Sequence, residues 1–370
     1  MRIVVNDVAA SDGGALTVLR SFHHYLSEVS DENEWTFLVG GRVIEDQEHL
    51  HCIALPAVKS RWRKRLQFDL VGGRRLVMKL RPDVVFSFQN TLIWGLDCPQ
   101  VLYVHQALPF QQVRNYSLVR SEERQLAIYQ HLIGRLIKLS ARHADRIIVQ
   151  SHWMAGAMTR QLRLPPAIVH VIPPEVDGGP RRVPAGGNDR RQFLYPTAEV
   201  SYKNNACVEE ACRILVGQGC TDFRLTITIG ESRAPNVDAV GRLPRDELLA
   251  RLACSTLVFP SLIETVGLPL LEARAIGVVV LAADLPYARE ALAGYPNAHF
   301  FDPGSPQALA SLMWQVIDGQ VIRLPPGEPP VEVPPSWGRV VSVLLDVAGA
   351  ASDTHDDLPV TGRGRRRGRR

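Results

Sequence analysis

The stretch Pro260-Ser-Leu-Ile-Glu264-Thr-Val-Gly-Leu-Pro-Leu-Leu-Glu272-Ala-Arg-Ala-Ile-Gly277 lies between two strand-like apolar runs, Ser255-Thr-Leu-Val-Phe-Pro260 and Val278-Val-Val-Leu281. Gly267 and Pro269 set a turn, and Leu270, Leu271 and Ala273 begin a short helix. The unit therefore reads strand, loop, helix, strand. Its two carboxylates, Glu264 on the loop and Glu272 one to two turns into the helix, stand at a strand's carboxyl end, where α/β proteins bind ligands. Loop N–H groups between them make a seat for an anion. Glutamates near a helix start also serve simply to complement the macrodipole, so the pair alone does not define a site.

The same alternation recurs outward along the chain. Strand-like runs in the first half include Ile3–Val5, Trp35–Val39, Val84–Phe88, Val101–Val104 and Arg146–Val149. In the second half they include Gln192–Tyr195, Arg224–Ile229, Thr256–Phe259 and Val278–Leu281. Short Val/Ile/Leu runs separated by helix-like segments predict an α/β class with parallel sheets covered on both faces. The Gly/Pro-rich segment around Gly178–Asn188 predicts a linker, placing a first domain over 1–177, a linker over 178–190 and a second domain over 191–335. A Pro-rich bridge, Leu324–Pro335, leads to a helix-like segment over 336–350 that opens Ser336-Trp337.

Composition agrees with two soluble domains. The chain has 370 residues, 46% hydrophobic and 22% charged, long for one core and comfortable for two. No apolar run is long enough to cross a bilayer, and Met1-Arg-Ile-Val-Val5 reads as a buried first strand instead of a signal peptide. The six cysteines form no Cys-x-x-Cys pair and read as reduced small hydrophobes of a cytoplasmic protein. Net charge is only +4, but the cations cluster. Residues 59–81 carry nine Lys or Arg against one Asp, with Trp62, Leu66 and Phe68 interleaved. Residues 126–139 form a second basic, amphipathic stretch, and the tail 361–370 is Arg-rich, of low complexity and expected to be disordered. Such clusters suit an anionic surface, membrane or nucleic acid; the bland reading is a solvated face.

The Pro-Ser-x-x-Glu and Gly-Leu-Pro-x-x-Glu-Ala fragments, followed by Asp284-Leu-Pro-Tyr-Ala-Arg-Glu290 and Phe301-Asp-Pro303, resemble the Glu-x7-Glu signature of retaining glycosyltransferases with the GT-B fold. That is the family 4, "group 1" type, of the bacterial surface-polysaccharide kind. Further matching fragments are Asp12-Gly-Gly14, His105, Ala144–Ser151, Val171–Asp177, Tyr202-Lys-Asn204 and Gly241, so the resemblance covers most of residues 1–350. It implies two Rossmann-like parallel-sheet domains facing across a cleft, the first holding the acceptor and the second a nucleotide diphospho-sugar. It also implies that the Ser336-Trp337 helix returns to the first domain.

Roles follow from the same resemblance. Lys203 would neutralise charge on the leaving diphosphate from the start of a helix. An Arg common about five residues earlier is Ala198 here, which leaves a cation to be borrowed, for instance from Arg233. Glu272 would accept hydrogen bonds from ribose hydroxyls, and Glu264 would lie against the donor sugar. Thr265, Val266, Gly267 and Leu268 would complete the phosphate seat, with Asn204 beside it. Gly13 and Gly14, expected in a loop after the first strand, would let backbone approach phosphate or acceptor closely. His105, at a strand's carboxyl end, would contact sugar or handle a proton, although a lone His is more often structural. No Asp-x-Asp signal is evident, so no metal and no cofactor beyond the donor are expected.

The leading reading is transfer of a hexose, with retention and without metal, to a hydroxyl of a growing, lipid-linked glycan. The protein would be cytoplasmic and peripheral at the anionic inner leaflet through residues 59–81. A sugar-nucleotide epimerase or hydrolase would share the nucleotide site without an acceptor. A nucleic-acid binder would explain the basic clusters but not the Glu-x7-Glu context. Nucleic acid is therefore not expected as a partner.

Overall fold

The computed structural model describes residues 1–9, 13–29, 32–59, 62–174, 189–325 and 336–356. Asp12, Arg61, nearly all of the linker at 178–190, the Pro-rich bridge from Pro326 and the Arg-rich tail lie outside the described residues.

Two parallel sheets carry the fold. The first comprises β1 (Arg2–Asp7), β2 (Glu34–Val39), β3 (Leu50–Ala54), β4 (Val84–Ser87), β5 (Gln100–Val104), β6 (Arg146–Val149) and β7 (Val169–Val171). Its order is β3-β2-β1-β4-β5-β6-β7. The second comprises β8 (Gln192–Tyr195), β9 (Arg224–Ile227), β10 (Val237–Ala239), β11 (Thr256–Phe259), β12 (Val280–Ala283) and β13 (Ala298–Phe301), in the order β10-β9-β8-β11-β12-β13. β1 pairs in parallel with both β2 and β4, setting Ile3 opposite Trp35 on one side and Val84 on the other. β11 pairs likewise with β8 and β12. Strands β4, β5, β11 and β12 are buried at every position, as unbroken apolar runs require when helices cover both faces.

By contacts the chain forms two compact units. One holds residues 1–104, 139–148 and the chain from Trp337; the other holds 105–138 and 149–336. In the second unit the helix Asn205–Gly217 buries Cys207, Val208, Ala211, Cys212 and Leu215, and the helix Pro306–Ile317 buries Leu309, Ala310, Met313 and Val316. This helical spacing lays one apolar stripe of each helix on the sheet. All six cysteines are free, and Cys207, Cys212 and Cys220 are buried, packed as small hydrophobes.

In the first unit the helix Ser336–Asp356 begins with Trp337, whose ring stacks obliquely on Phe22 at 5.0 Å. Its indole Nε1 donates to Ser21 Oγ at 2.9 Å. Gly338 permits this approach, because a Cβ there would stand 3.0 Å from the Tyr25 hydroxyl oxygen.

The structure adds local detail to three stretches, and in the first it corrects the sequence expectation. Gly13 and Gly14 open the helix Gly13–Glu28 instead of forming a loop, a helix held by Leu19, Phe22 and Leu26 buried at helical spacing. Residues 62–80 break into helices Trp62–Gln67 and Gly73–Leu80 joined by a π turn over Phe68–Gly72. A Cβ on Gly73 would meet the Phe68 carbonyl oxygen at 2.8 Å, so glycine permits the wide turn. The turn carries Phe68 into a core with Val4, Val77 and Ile93 and leaves Leu70 and Val71 exposed in its place. The amphipathic stretch 126–139 is likewise divided by a π turn, Ile128–Ile133, between Arg124–Ala127 and Gly134–His143.

The single Asp of the basic patch, Asp69, is buried beside Phe68. It accepts from Gln89 Nε2 at 2.8 Å and Thr91 Oγ1 at 2.9 Å. Burial pushes its carboxyl up to about 6, with Arg65 opposing.

Candidate functional site

In the second sheet the chain runs from β8 outward through β9 to β10, then returns to β11 on the other side of β8. The reversal makes the carboxyl ends of β8 and β11 the switch point, where open α/β sheets leave a crevice for ligands. Lys203 follows β8 and Glu264 follows β11. The fold brings them together: Lys203 Nζ lies 2.5 Å from Glu264 Oε1, with the side chains 19% and 16% exposed.

Each partner is held by its own corner. Lys203 is not in the first turn of a helix as expected; it ends a 3₁₀ turn, Ser201–Lys203, and Asn204 follows at φ 59° before the helix Asn205–Gly217. Asn tolerates this left-handed backbone better than most residues. Its Nδ2 donates to the carbonyls of Pro303 at 2.9 Å and Pro260 at 3.3 Å, cross-bracing the turn to the segments after β13 and β11. From β8, the Tyr195 hydroxyl donates to the Lys203 carbonyl, and Leu262 N–H donates to the Tyr202 carbonyl at 2.7 Å. Burial raises the Tyr195 phenol well above its usual range, so it stays a donor.

The Glu264 loop is fixed through the next residue. The Thr265 carbonyl accepts from Ser151 Oγ at 2.6 Å and from the Trp153 indole Nε1 at 2.7 Å, and Thr265 Oγ1 donates to Gln150 Oε1 at 3.1 Å. The helix His152–Leu162 is anchored in turn by Glu290, whose two carboxylate oxygens accept from the N–H groups of His152 and Trp153 at 2.6 and 2.7 Å. A carboxylate on free N-terminal amides is favoured by the helix dipole as well.

Gly267 caps the next helix, Leu268–Ile276, at φ 79°, and a Cβ there would press on Leu270 Cδ1 at 3.1 Å. Among the described residues the N–H groups of Thr265, Val266 and Gly267 have no backbone acceptor. Val266 itself is buried and Leu268 exposed.

Glu272, the fifth residue of that helix, is buried with 4% of its side chain exposed, and Arg245 Nη1 stands 2.8 Å from its Oε1. Arg245, at the start of the helix Arg245–Ala253, was not among the residues the sequence singles out; a charged residue in a polar helix start carries no signal by itself. The same is true of Trp153. Arg233, the suggested substitute for the missing cation, is exposed in the lining of a cavity of about 560 Å³ formed by Gly230–Arg233 and Val237–Val240, beyond β9 and β10. Ala198 contributes only its carbonyl, which accepts from Asn205 Nδ2 at 2.9 Å.

The structure thus gathers Lys203, Asn204, Glu264, Thr265, Val266, Gly267, Leu268 and Glu272 on adjoining corners of the second unit. His105 directly follows β5, half-buried, and Gly13 and Gly14 belong to the first unit. Among the described residues no group of three or more His, Cys, Asp or Glu side chains stands close enough to share a metal ion.

Comparison with known proteins gives this architecture its class. Residues 13–178 match the family model described as Glycosyltransferase Family 4, and residues 210–325 match that of Glycosyl transferases group 1. The two matched segments are thus similar to glycosyltransferase domains, which supports sugar transfer, and the two parallel sheets are those of the GT-B fold. Sucrose-phosphate synthase from Thermosynechococcus elongatus superposes with a TM-score of 0.67 at 15% identity, over 96% of this chain and 98% of that one. Anabaena HepE in complex with UDP and glucose gives 0.61 at 14%, over 96% and 99%. WaaG, a glycosyltransferase involved in lipopolysaccharide biosynthesis, gives 0.61 at 13%, over 97% and 96%. At these identities the likeness is one of fold. No curated protein matches the chain by sequence.

Proposed function

We propose that the protein moves a hexose from a nucleotide diphospho-sugar to a hydroxyl of a growing glycan, with retention of anomeric configuration and without a metal ion. The observation that carries this reading is the Lys203–Glu264 pair at the switch point of the second sheet. A cation and a carboxylate held there match the two charges of the reaction. The Lys203 ammonium faces the growing negative charge of the leaving diphosphate, and Glu264 faces the positive charge developing on the sugar ring. The open amides of Thr265 to Gly267 add donors to the same anion, with Leu268 and Asn204 bordering the seat. Glu272 takes the ribose hydroxyls.

Glu264 is assigned an electrostatic role and not that of a covalent nucleophile. The sugar's bond to the diphosphate breaks as the acceptor oxygen bonds to the same face, and the acceptor proton leaves with the phosphate oxygen. His105 is assigned to sugar contact or proton handling, and Gly13 and Gly14 to close backbone approach. HepE, a neighbour in fold in complex with UDP and glucose, supports a nucleotide-sugar donor, and WaaG, involved in lipopolysaccharide biosynthesis, supports a surface-glycan product. A lipid-linked acceptor would bring the protein to the cytoplasmic leaflet, with the cations of 59–81 on the anionic surface. The association proposed is peripheral; no described helix is long and apolar enough to cross a membrane.

Thermal-shift screening against UDP-, GDP-, ADP- and dTDP-sugars tests the donor site directly. Protection by one of them, followed by nucleotide release only when a glycan acceptor is added, is the expected result. Release at the same rate without acceptor would convert the assignment to a hydrolase or epimerase. No protection by any donor would remove it.

A further inference from the structure

Arg245 sits against its helix's own electrostatics. It occupies the first position of Arg245–Ala253, where the exposed N–H groups carry the positive end of the macrodipole and Asp246 and Glu247 supply the expected complement. A cation there is disfavoured unless something offsets it. The offset is Glu272, whose Oε1 lies 2.8 Å from Arg245 Nη1. The two groups differ sharply in setting: the Glu272 side chain is 4% exposed and the Arg245 side chain 49%. A carboxylate that far from water is costly unless it is paired. An Arg that keeps half its surface in water can change partners without opening the core.

We propose that Arg245 is a positioning residue for the donor nucleotide. It holds the buried Glu272 carboxylate paired and oriented while the site is empty, and shares or cedes it when ribose hydroxyls arrive. The inference rests on the assignment of Glu272 to the ribose. Arg245 touches neither the transferred sugar nor the diphosphate, so it acts equally in the ground and transition states. Such uniform binding governs KM and leaves kcat alone. Lys in its place would supply a point charge without the planar fork and restore the effect in part.

The experiment is a titration of the full chain and its variants with UDP, GDP and ADP, then with the 2′,3′-dideoxy form of whichever binds, alongside donor kinetics. Arg245→Ala is expected to weaken the ribonucleotide and raise donor KM tenfold or more, with kcat within twofold of wild type. Arg245→Lys is expected to recover part of the loss. The dideoxynucleotide, lacking the hydroxyls that Glu272 would hold, should bind wild type and Arg245→Ala alike. Three outcomes overturn the proposal: unchanged ribonucleotide affinity in Arg245→Ala, kcat falling as steeply as KM rises, or the dideoxynucleotide weakened as much as the ribonucleotide. The last would make Arg245 a direct phosphate or base contact. A wild-type chain that binds none of UDP, GDP and ADP removes the ribose assignment itself, and with it this inference.

Discussion

Replacing Lys203 by Ala tests the heart of the site, and the size of its effect follows from the geometry. At 2.5 Å and an effective dielectric constant of about 20, the pair with Glu264 attracts by roughly 6–7 kcal/mol before desolvation is subtracted. Both side chains keep under a fifth of their exposure, so desolvation takes back much of that. Removing one partner of a fully buried pair costs about 3–5 kcal/mol, and for this slightly wetter pair about 2–3 kcal/mol of stability is expected to be lost. Turnover should fall further, by about 10²–10³, because the variant loses the charge that meets the leaving diphosphate. Added magnesium should not restore it. The decisive assay is a double-mutant cycle on acceptor-dependent nucleotide release, with Lys203→Ala, Glu264→Gln and both together. In the double variant the second change should cost much less than it does alone, since neither charge is then left unpaired. Independent, additive losses would show that the two residues do not act as a pair, and an unimpaired Lys203→Ala enzyme would refute the site.

The remaining predictions address its surroundings. Glu272→Ala should weaken donor binding, whereas Glu264→Ala should depress turnover more than donor affinity; full activity in the double alanine variant would refute both roles. Trp153→Phe keeps an aromatic ring but removes one of the two donors on the Thr265 carbonyl, so kcat should drop several-fold while the melting temperature changes little, a loss of about 1 kcal/mol. Asp69, raised from 3.8 to about 6 in the folded chain, prefers to be protonated there, so its contribution to stability is present below about pH 4 and fades as pH rises through 6. A carboxyl raised that far forfeits about 3 kcal/mol when it ionises, and Asp69→Asn should therefore raise neutral-pH stability and flatten the pH 4–7 profile in denaturant melts. Changing Arg61, Arg63, Lys64 and Arg65 to Ser should abolish salt-sensitive co-sedimentation with anionic vesicles while activity on a soluble acceptor analogue persists; unchanged sedimentation would leave the patch a solvated face.

What the sequence discloses depends on how local the cause is. β11 is legible because Leu257–Phe259 is an unbroken apolar run after β-branched Thr256, while β10, with Asp238 at its centre, and β13, opened by Ala298 and His299, show no such run. β12 begins at Val280, two residues after its first apolar residue. Gly277 ends the preceding helix at φ 85°, and Val278 N–H turns back to the Ala273 carbonyl at 3.1 Å. In the site, Lys203 and Glu264 each stand out beside a turn, yet their pairing across 61 residues is a property of strand order and not of either neighbourhood. Arg245 and Trp153 are ordinary until the fold sets them against Glu272 and Thr265. The two π turns left one trace each, Gly73 and Gly134, at positions where a Cβ would meet backbone or Pro109.

The clamp on Thr265 has a geometric corollary. A peptide unit is planar, and in its trans form the carbonyl of one residue and the N–H of the next point to opposite sides. Ser151 and Trp153 grip the Thr265 carbonyl from one side, which turns the Val266 N–H away from both of them. The dipole of that single peptide is thus oriented by folding, before any ligand arrives. On the proposed function, an anion at this seat would find the amide already aimed, so the ordering entropy of the loop would be settled in the folded chain and not subtracted from binding.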